Sequence, residues 1–246
     1  MKSGYTHIAV VLDSSGSMAS ILEDTIGGFN TFLKGQKEAP GEATLTLVEF
    51  APRSFSGWHQ PGNIPWVQPN SLDFGKTDGI AVNVKFDFMP ITAVPELTRK
   101  TYIPSGGTPL LDTIAETINR TGKALKSIPE SLRPEKVLFV IITDGEENES
   151  RVYNHQRVME MIQHQSIVYK WEFMYLGANQ DAIQVGATFG INANRSMSYG
   201  VSADAIGSTY GVLASKTMAF RSASNAAEAQ AALNFTEEER ASVKDK

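Results

Sequence analysis

Three short segments of this 246-residue sequence concentrate side chains able to hold a hard cation. Asp13-Ser14-Ser15-Gly16-Ser17 reads D-x-S-x-S, Gly106-Gly107-Thr108-Pro109 sets one threonine behind two glycines, and Thr143-Asp144-Gly145 closes an apolar run. Carboxylates and hydroxyls are hard oxygen donors, and a site made only of them suits Mg²⁺, Mn²⁺ or Ca²⁺ rather than zinc. Ser15 and Ser17 alternate with Ser14 and Gly16, so one turn can aim both hydroxyls at a single point. The glycines let the backbone come close where a side chain would crowd an ion. Each motif alone is a common turn. Their joint meaning depends on a fold that brings all three together.

The surrounding pattern supplies such a fold. Ile8 to Leu12 and Val137 to Ile142 are short runs apolar on both faces, the mark of strands buried between helices in a parallel sheet. Thr44 to Phe50 and Trp171 to Leu176 are further strand candidates. Val82 to Phe88 alternates apolar and polar residues, as an edge strand with one wet face does. Helical spacing of apolar residues runs through Met18–Gln36, with Gly35 and Pro40 expected to end it, and through Leu110–Ser127, Val152–Ser166 and Ala203–Phe220. Strand alternating with helix predicts an α/β fold: a doubly wound, mostly parallel sheet with one antiparallel edge strand and helices on both faces. Ligands of such sheets bind at the carboxyl ends of the strands, where strand order reverses. All three motifs fall at that edge.

Composition narrows the functions. A net charge of −5 with no Lys/Arg run argues against nucleic acid as a partner. With no cysteine, disulfides, zinc-thiolate sites and thiol nucleophiles are excluded. No segment approaches the roughly 18 continuous apolar residues of a membrane span, and the apolar stretch after Met1-Lys2 is cut short at Asp13, below the roughly 7–15 residues of an export signal. The expected address is cytoplasmic, with no membrane partner.

The three motifs resemble the metal-ion-dependent adhesion site (MIDAS) of the von Willebrand factor A (vWA) family, and the likeness extends over roughly residues 5–221. Asp13, Ser15, Ser17, Thr108 and Asp144 match all five liganding positions. GGFNTFLKGQ, PGEATLTLVEF, SGGTPLLDTI, VIITDGEENES and WEFMYLGANQDA are similar to small cytoplasmic bacterial and phage members. The resemblance implies a Rossmann-like vWA fold, Mg²⁺ as first choice of cation with Mn²⁺ or Ca²⁺ as alternatives, and a partner protein that offers an Asp or Glu to the metal. In that family the serines and threonine usually bind metal directly and the aspartates often act through water. A dication held mainly by neutral hydroxyls and waters stays electrophilic, so an incoming carboxylate gains strongly. The implied function is a metal-dependent protein–protein interaction module, not an enzyme. An alternative within the same family is an accessory subunit of an AAA+ ATPase or of a virion or stress-response assembly. A further implication is a shift of the last long helix, Ala203–Phe220, on ligand binding.

A Mg²⁺-dependent phosphohydrolase is the competing class. Haloacid-dehalogenase-type enzymes carry D-x-D at the end of the first strand, but here the second position is Ser15, which cannot do acid–base work near neutral pH. No P-loop or G-x-S-x-G pattern offers another centre.

Other features read as structural. Glu146-Glu147-Asn148-Glu149 is taken as a solvated helix start, since acids favour helix N-termini. His7, His59, His155 and His164 lack metal-ligand spacing and are assigned no role. The domain is expected to span 1–221. Residues 52–81, rich in Pro, Gly, Asn and Ser, are expected to form an insertion between the second and third strands near the metal face; Trp58 and Trp66 are read as closing a small core of the insertion, with a part in choosing the partner as the alternative. Residues 222–246 are a C-terminal tail, with Thr236 and Glu239 spaced as a capping box for a short helix.

Overall fold

The computed structural model describes residues 1–50, 82–178 and 180–245. The sheet is built from β1 (Lys2–Leu12), β2 (Glu42–Phe50), β3 (Val82–Pro90), β4 (Pro134–Thr143), β5 (Glu172–Ala178) and β6 (Ser196–Tyr199). The helices are α1 (Leu22–Glu38), α2 (Leu110–Ser127), α3 (His155–Tyr169), α4 (Ala182–Thr188), α5 (Ala203–Ser222), α6 (Ala226–Ala232) and α7 (Glu237–Ser242). Strand order is β3-β2-β1-β4-β5-β6, the 3-2-1-4-5-6 order of Rossmann-like sheets. Every pairing is parallel except β2 with β3, which is antiparallel, so the expected α/β architecture with its antiparallel edge strand is the one observed.

Alternation along the strands divides the core. Ile8, Val10 and Leu12 of β1, with Leu138, Val140 and Ile142 of β4, face a cluster completed by α1, α5 and the tail. Ala9 and Val11, with Val137, Phe139 and Ile141, face a second cluster under α2 and α3. Both faces of β1 and β4 are thus apolar, which is why their sequences read as continuous apolar runs. Phe29 and Phe32 of α1 are each 1% exposed, and burying a side chain of this size contributes roughly 1.5–3 kcal/mol.

The helix expected over Met18–Gln36 opens instead as a 3₁₀ turn, Gly16–Ile21, and α1 runs from Leu22 through Gly35 to Glu38. Gly35 does not stop it; the glycine faces α5, where a Cβ would sit at an ordinary packing distance of 3.6 Å from that of Ala214. Gly28 is closer still, since its Cβ would fall 2.2 Å from the Tyr210 ring. The α1–α5 contact therefore depends on small residues. The chain turns after α1 at Gly41, with φ +84. Arg221, 6% exposed, donates to the carbonyls of Gln36, Ala39, Pro40 and Gly41 and so caps this end of α1.

At the β3 edge Phe88 adopts φ +48, a strained conformation for a bulky residue. Its ring stacks on His7 at 3.7 Å and its N–H donates to Thr46 Oγ1. At the other edge, the chain after Ser222 lies against α5 and β6. Leu233, Phe235 and Val243 join the first core cluster, Arg240 donates to the carbonyls of Ser196 and Ala193, and Thr236 and Glu239 form a capping box on α7. The insertion expected over 52–81, with Trp58 and Trp66, lies outside the described residues. Among the described residues no helix is long and apolar enough to cross a membrane.

Candidate metal centre

The order β2-β1-β4 makes the gap above β1 and β4 the point where chain direction across the sheet reverses, and the three motifs meet there. After Leu12 the ladder runs one residue further, with Asp13 N–H donating to the Ile142 carbonyl at 2.9 Å. The Asp13 carboxylate is wholly buried: Oδ1 accepts the Ser15 N–H at 2.7 Å and Oδ2 accepts the Thr143 hydroxyl. Ser15 and Ser17 Oγ stand 3.0 Å apart, and Ser17 Oγ donates to Asp144 Oδ1 at 2.7 Å.

The threonine loop is tied to the first loop along its length. Ser105 N–H donates to the Ser14 carbonyl at 2.8 Å, and Gly16 N–H to the Gly106 carbonyl at 2.9 Å. Gly106 has φ +76, which a side chain would strain. Thr108 and Asn148 then clasp each other: Thr108 N–H donates to Asn148 Oδ1 at 2.8 Å, and Asn148 N–H to the Thr108 carbonyl at 3.2 Å. The result is convergence. A Cβ placed on Gly145 would lie 3.3 Å from Thr108 Oγ1, 3.8 Å from Ser17 Oγ and 4.0 Å from Asp13 Oδ2. Oxygens from two loops thus face one small space that the glycine of the third leaves open.

Asp13, Ser15 and Thr108 are buried, Asp144 is half-buried and Ser17 is exposed, so the cluster has a closed floor and an open side. Burial pushes the Asp13 carboxyl up to about 6; hydrogen bonds from Thr143 and Ser15 oppose that rise and the charge of Asp144 adds to it. Burial also raises Asp144, against the Ser17 hydrogen bond. Two carboxylates held near each other away from water are what a dication would stabilise. Among the described residues no group of three or more His, Cys, Asp or Glu side chains is placed to hold a metal ion. The donor set here is two carboxylates and three hydroxyls, all hard oxygen, and it fits Mg²⁺, Mn²⁺ or Ca²⁺.

Several supporting residues escape a reading of the sequence. Thr143 stands beside Asp144 in the motif, yet it is its hydroxyl that holds Asp13. Ser14 turns away from the cluster and donates to the Phe50 carbonyl at 2.9 Å. The acidic run is not the start of its own following helix: α3 begins at His155 and is capped by Asn154. Glu147 instead caps α2, accepting the Leu111 N–H at 2.8 Å while also holding the Glu149 and Ser150 amides. The preference of acids for helix N-termini operates here on a helix far away in sequence. His7, within β1, stacks on Phe88 and meets Thr44, and His155 stacks on Phe189, so both rings are engaged away from this cluster.

No family model matches the chain, and no curated protein matches it. Solved structures do. Proximal thread matrix protein 1 from the mussel byssus, in a form with a zinc-occupied MIDAS motif, aligns over 87% of this chain and 48% of its own at 10% identity, with a TM-score of 0.54. The pilus adhesin SpaC from Lactobacillus rhamnosus GG, in an open conformation, aligns over 89% of this chain and 30% of its own at 13% identity, with a TM-score of 0.56. These likenesses show a shared fold, and this chain spans about half or less of the length of the proteins it matches.

Proposed function

We propose that this chain is a protein-binding module of the vWA type that holds a divalent cation, Mg²⁺ by preference, among Asp13, Ser15, Ser17, Thr108 and Asp144. A partner's Asp or Glu completes the coordination from the open side. One observation carries the reading: Asp13 Oδ2 and Ser17 Oγ of the first loop and Thr108 Oγ1 of the second converge on the space beside Gly145 of the third. The sequence resemblance and the fold shared with a protein whose MIDAS motif holds zinc support it. The small bacterial or phage type, and service as a subunit of a larger assembly, are finer parts of the same proposal.

Binding is favoured over catalysis on two grounds. The side chains of Asp13, Ser15, Ser17 and Asp144 hydrogen-bond to Ser, Thr and Asp side chains and to a backbone amide, and among the described residues no imidazole or amine bonds to them to take a proton. The first amides of α2, which a phosphate ester would use as an anion cradle, are taken by Glu147 and Ser150.

Co-purification with the native host's proteins, in Mg²⁺ and in EDTA, tests this. The expected partner is retained in Mg²⁺, released by chelation, absent with Asp13→Ala, and lost when one partner carboxylate is replaced by its amide. A stable complex indifferent to EDTA and to Asp13→Ala places the interface elsewhere and contradicts the proposal.

A further inference from the structure

Tyr102 is fully buried, and its hydroxyl donates to the backbone carbonyl of Asp13. It reaches that carbonyl from the segment that climbs one face of the sheet through Ile91, Val94 and Leu97 and then supplies Thr108. Lys85 of β3 donates to the carbonyl of Thr101, the residue before. The Lys85 ammonium in turn lies 3.3 Å from Glu49 Oε2 on β2, a carboxylate 1% exposed that also accepts from Asn83. A chain of contacts, buried at Glu49 and Tyr102 and partly buried between them, thus runs from the β2–β3 edge to Asp13.

The contact falls where the sheet stops controlling the backbone. The Asp13 N–H is still fixed by β4, and Tyr102 rather than a strand holds the Asp13 carbonyl. That carbonyl and the Ser14 N–H share one rigid peptide plane. Turning the plane would shift the Ser15 amide that binds Asp13 Oδ1, and with it the Ser15 and Ser17 hydroxyls. An outer residue that orients the ligands of a metal commonly changes its affinity roughly 10–100-fold when removed.

We propose that Tyr102 is a positioning residue of the cation site, fixing the Asp13–Ser14 peptide plane and so the spacing between the Asp13 carboxylate and the two serine hydroxyls. The inference rests on the reading that these oxygens hold a divalent cation. Tyr102→Phe keeps the ring and removes only the hydroxyl. Mn²⁺ is the probe, because its paramagnetic resonance spectrum responds to ligand geometry and its free fraction gives the affinity. Tyr210→Phe is the control, since Tyr210 is also buried and its hydroxyl has no hydrogen-bond partner among the described residues.

The expected result is that Tyr102→Phe binds Mn²⁺ about tenfold more weakly with an altered spectrum, while Tyr210→Phe matches the wild type. Should Tyr102→Phe fail to fold, Lys85→Met, which frees the Thr101 carbonyl, is expected to weaken binding and alter the spectrum in the same way. Wild-type binding with an unchanged spectrum and affinity in the folded variant overturns the positioning role and leaves the site intact. No Mn²⁺ binding by the wild type removes the site itself, and this role with it.

Discussion

The hydroxyl of Ser17 donates to Asp144 Oδ1 at 2.7 Å, joining two loops separated by 127 positions of sequence. The strands they follow, β1 and β4, are sheet neighbours through the crossover that reverses strand order. A hydroxyl has one proton and two lone pairs, so Ser17 can keep this bond and still offer an electron pair to a cation. A cation bound there would have the Asp144 charge close by without needing that oxygen as a direct ligand.

Gly145 is the position where the space for the cation is most easily removed. Its φ is not in the left-handed region, so alanine is tolerated by the backbone, but the added methyl would sit 3.3 Å from Thr108 Oγ1. Gly145→Ala is expected to weaken Mg²⁺ binding at least about tenfold while the thermal midpoint without metal moves by only a few degrees. Calorimetric titration paired with thermal melts checks both halves. Wild-type affinity in this variant would place the cation elsewhere.

Glu147 is expected to matter for stability through the α2 cap. Its two oxygens accept from the Glu149, Ser150 and Leu111 amides and the Ser150 hydroxyl. Glu147→Ala should cost about 1–3 kcal/mol in urea unfolding, and Glu147→Gln, which keeps one acceptor oxygen, should cost less. A change below about 0.5 kcal/mol for the alanine variant would contradict the capping role.

His7 makes acid stability predictable in sign. It is wholly buried, with Nδ1 2.9 Å from Thr44 Oγ1 and Nε2 unpartnered, and burial lowers its pKa from 6.5 to about 3. Between those values the unfolded chain carries a proton on His7 that the folded chain does not. The unfolded state binds more protons there, so this contribution to stability falls as pH drops from about 6.5 toward 3. Urea midpoints measured across that window should fall less steeply for His7→Phe than for the wild type. Equal slopes would show that His7 accepts a proton in the folded state.

The doubly wound sheet was legible because burial on both faces leaves an unbroken signal: Ile8–Leu12 and Val137–Ile142 have no polar side to hide it. The meeting of the three motifs was legible because they stand at the carboxyl edge of a sheet whose strand order could be anticipated. What escaped was held by single contacts without a pattern. β6 is a four-residue strand, Ser196–Tyr199, formed by pairing with β5 and not by any apolar run of its own. Leu233, Phe235 and Val243 are isolated apolar residues in a polar stretch, and only packing against α5 and β6 makes them core. Gly35 reads as a helix stop because glycine is a poor helix former, but the packing of α1 on α5 and the Gln36 bond to the Ala214 carbonyl carry the helix through it. Tyr102 and Glu147 are ordinary residues until the fold brings Asp13 and Leu111 to them.

Isothermal titration of Mg²⁺ into the wild type and Asp13→Ala tests the central claim most directly. The wild type should bind one equivalent saturably, and Asp13→Ala, folded by circular dichroism, should give no heat above dilution. Identical traces from the two proteins would contradict a cation held between these loops.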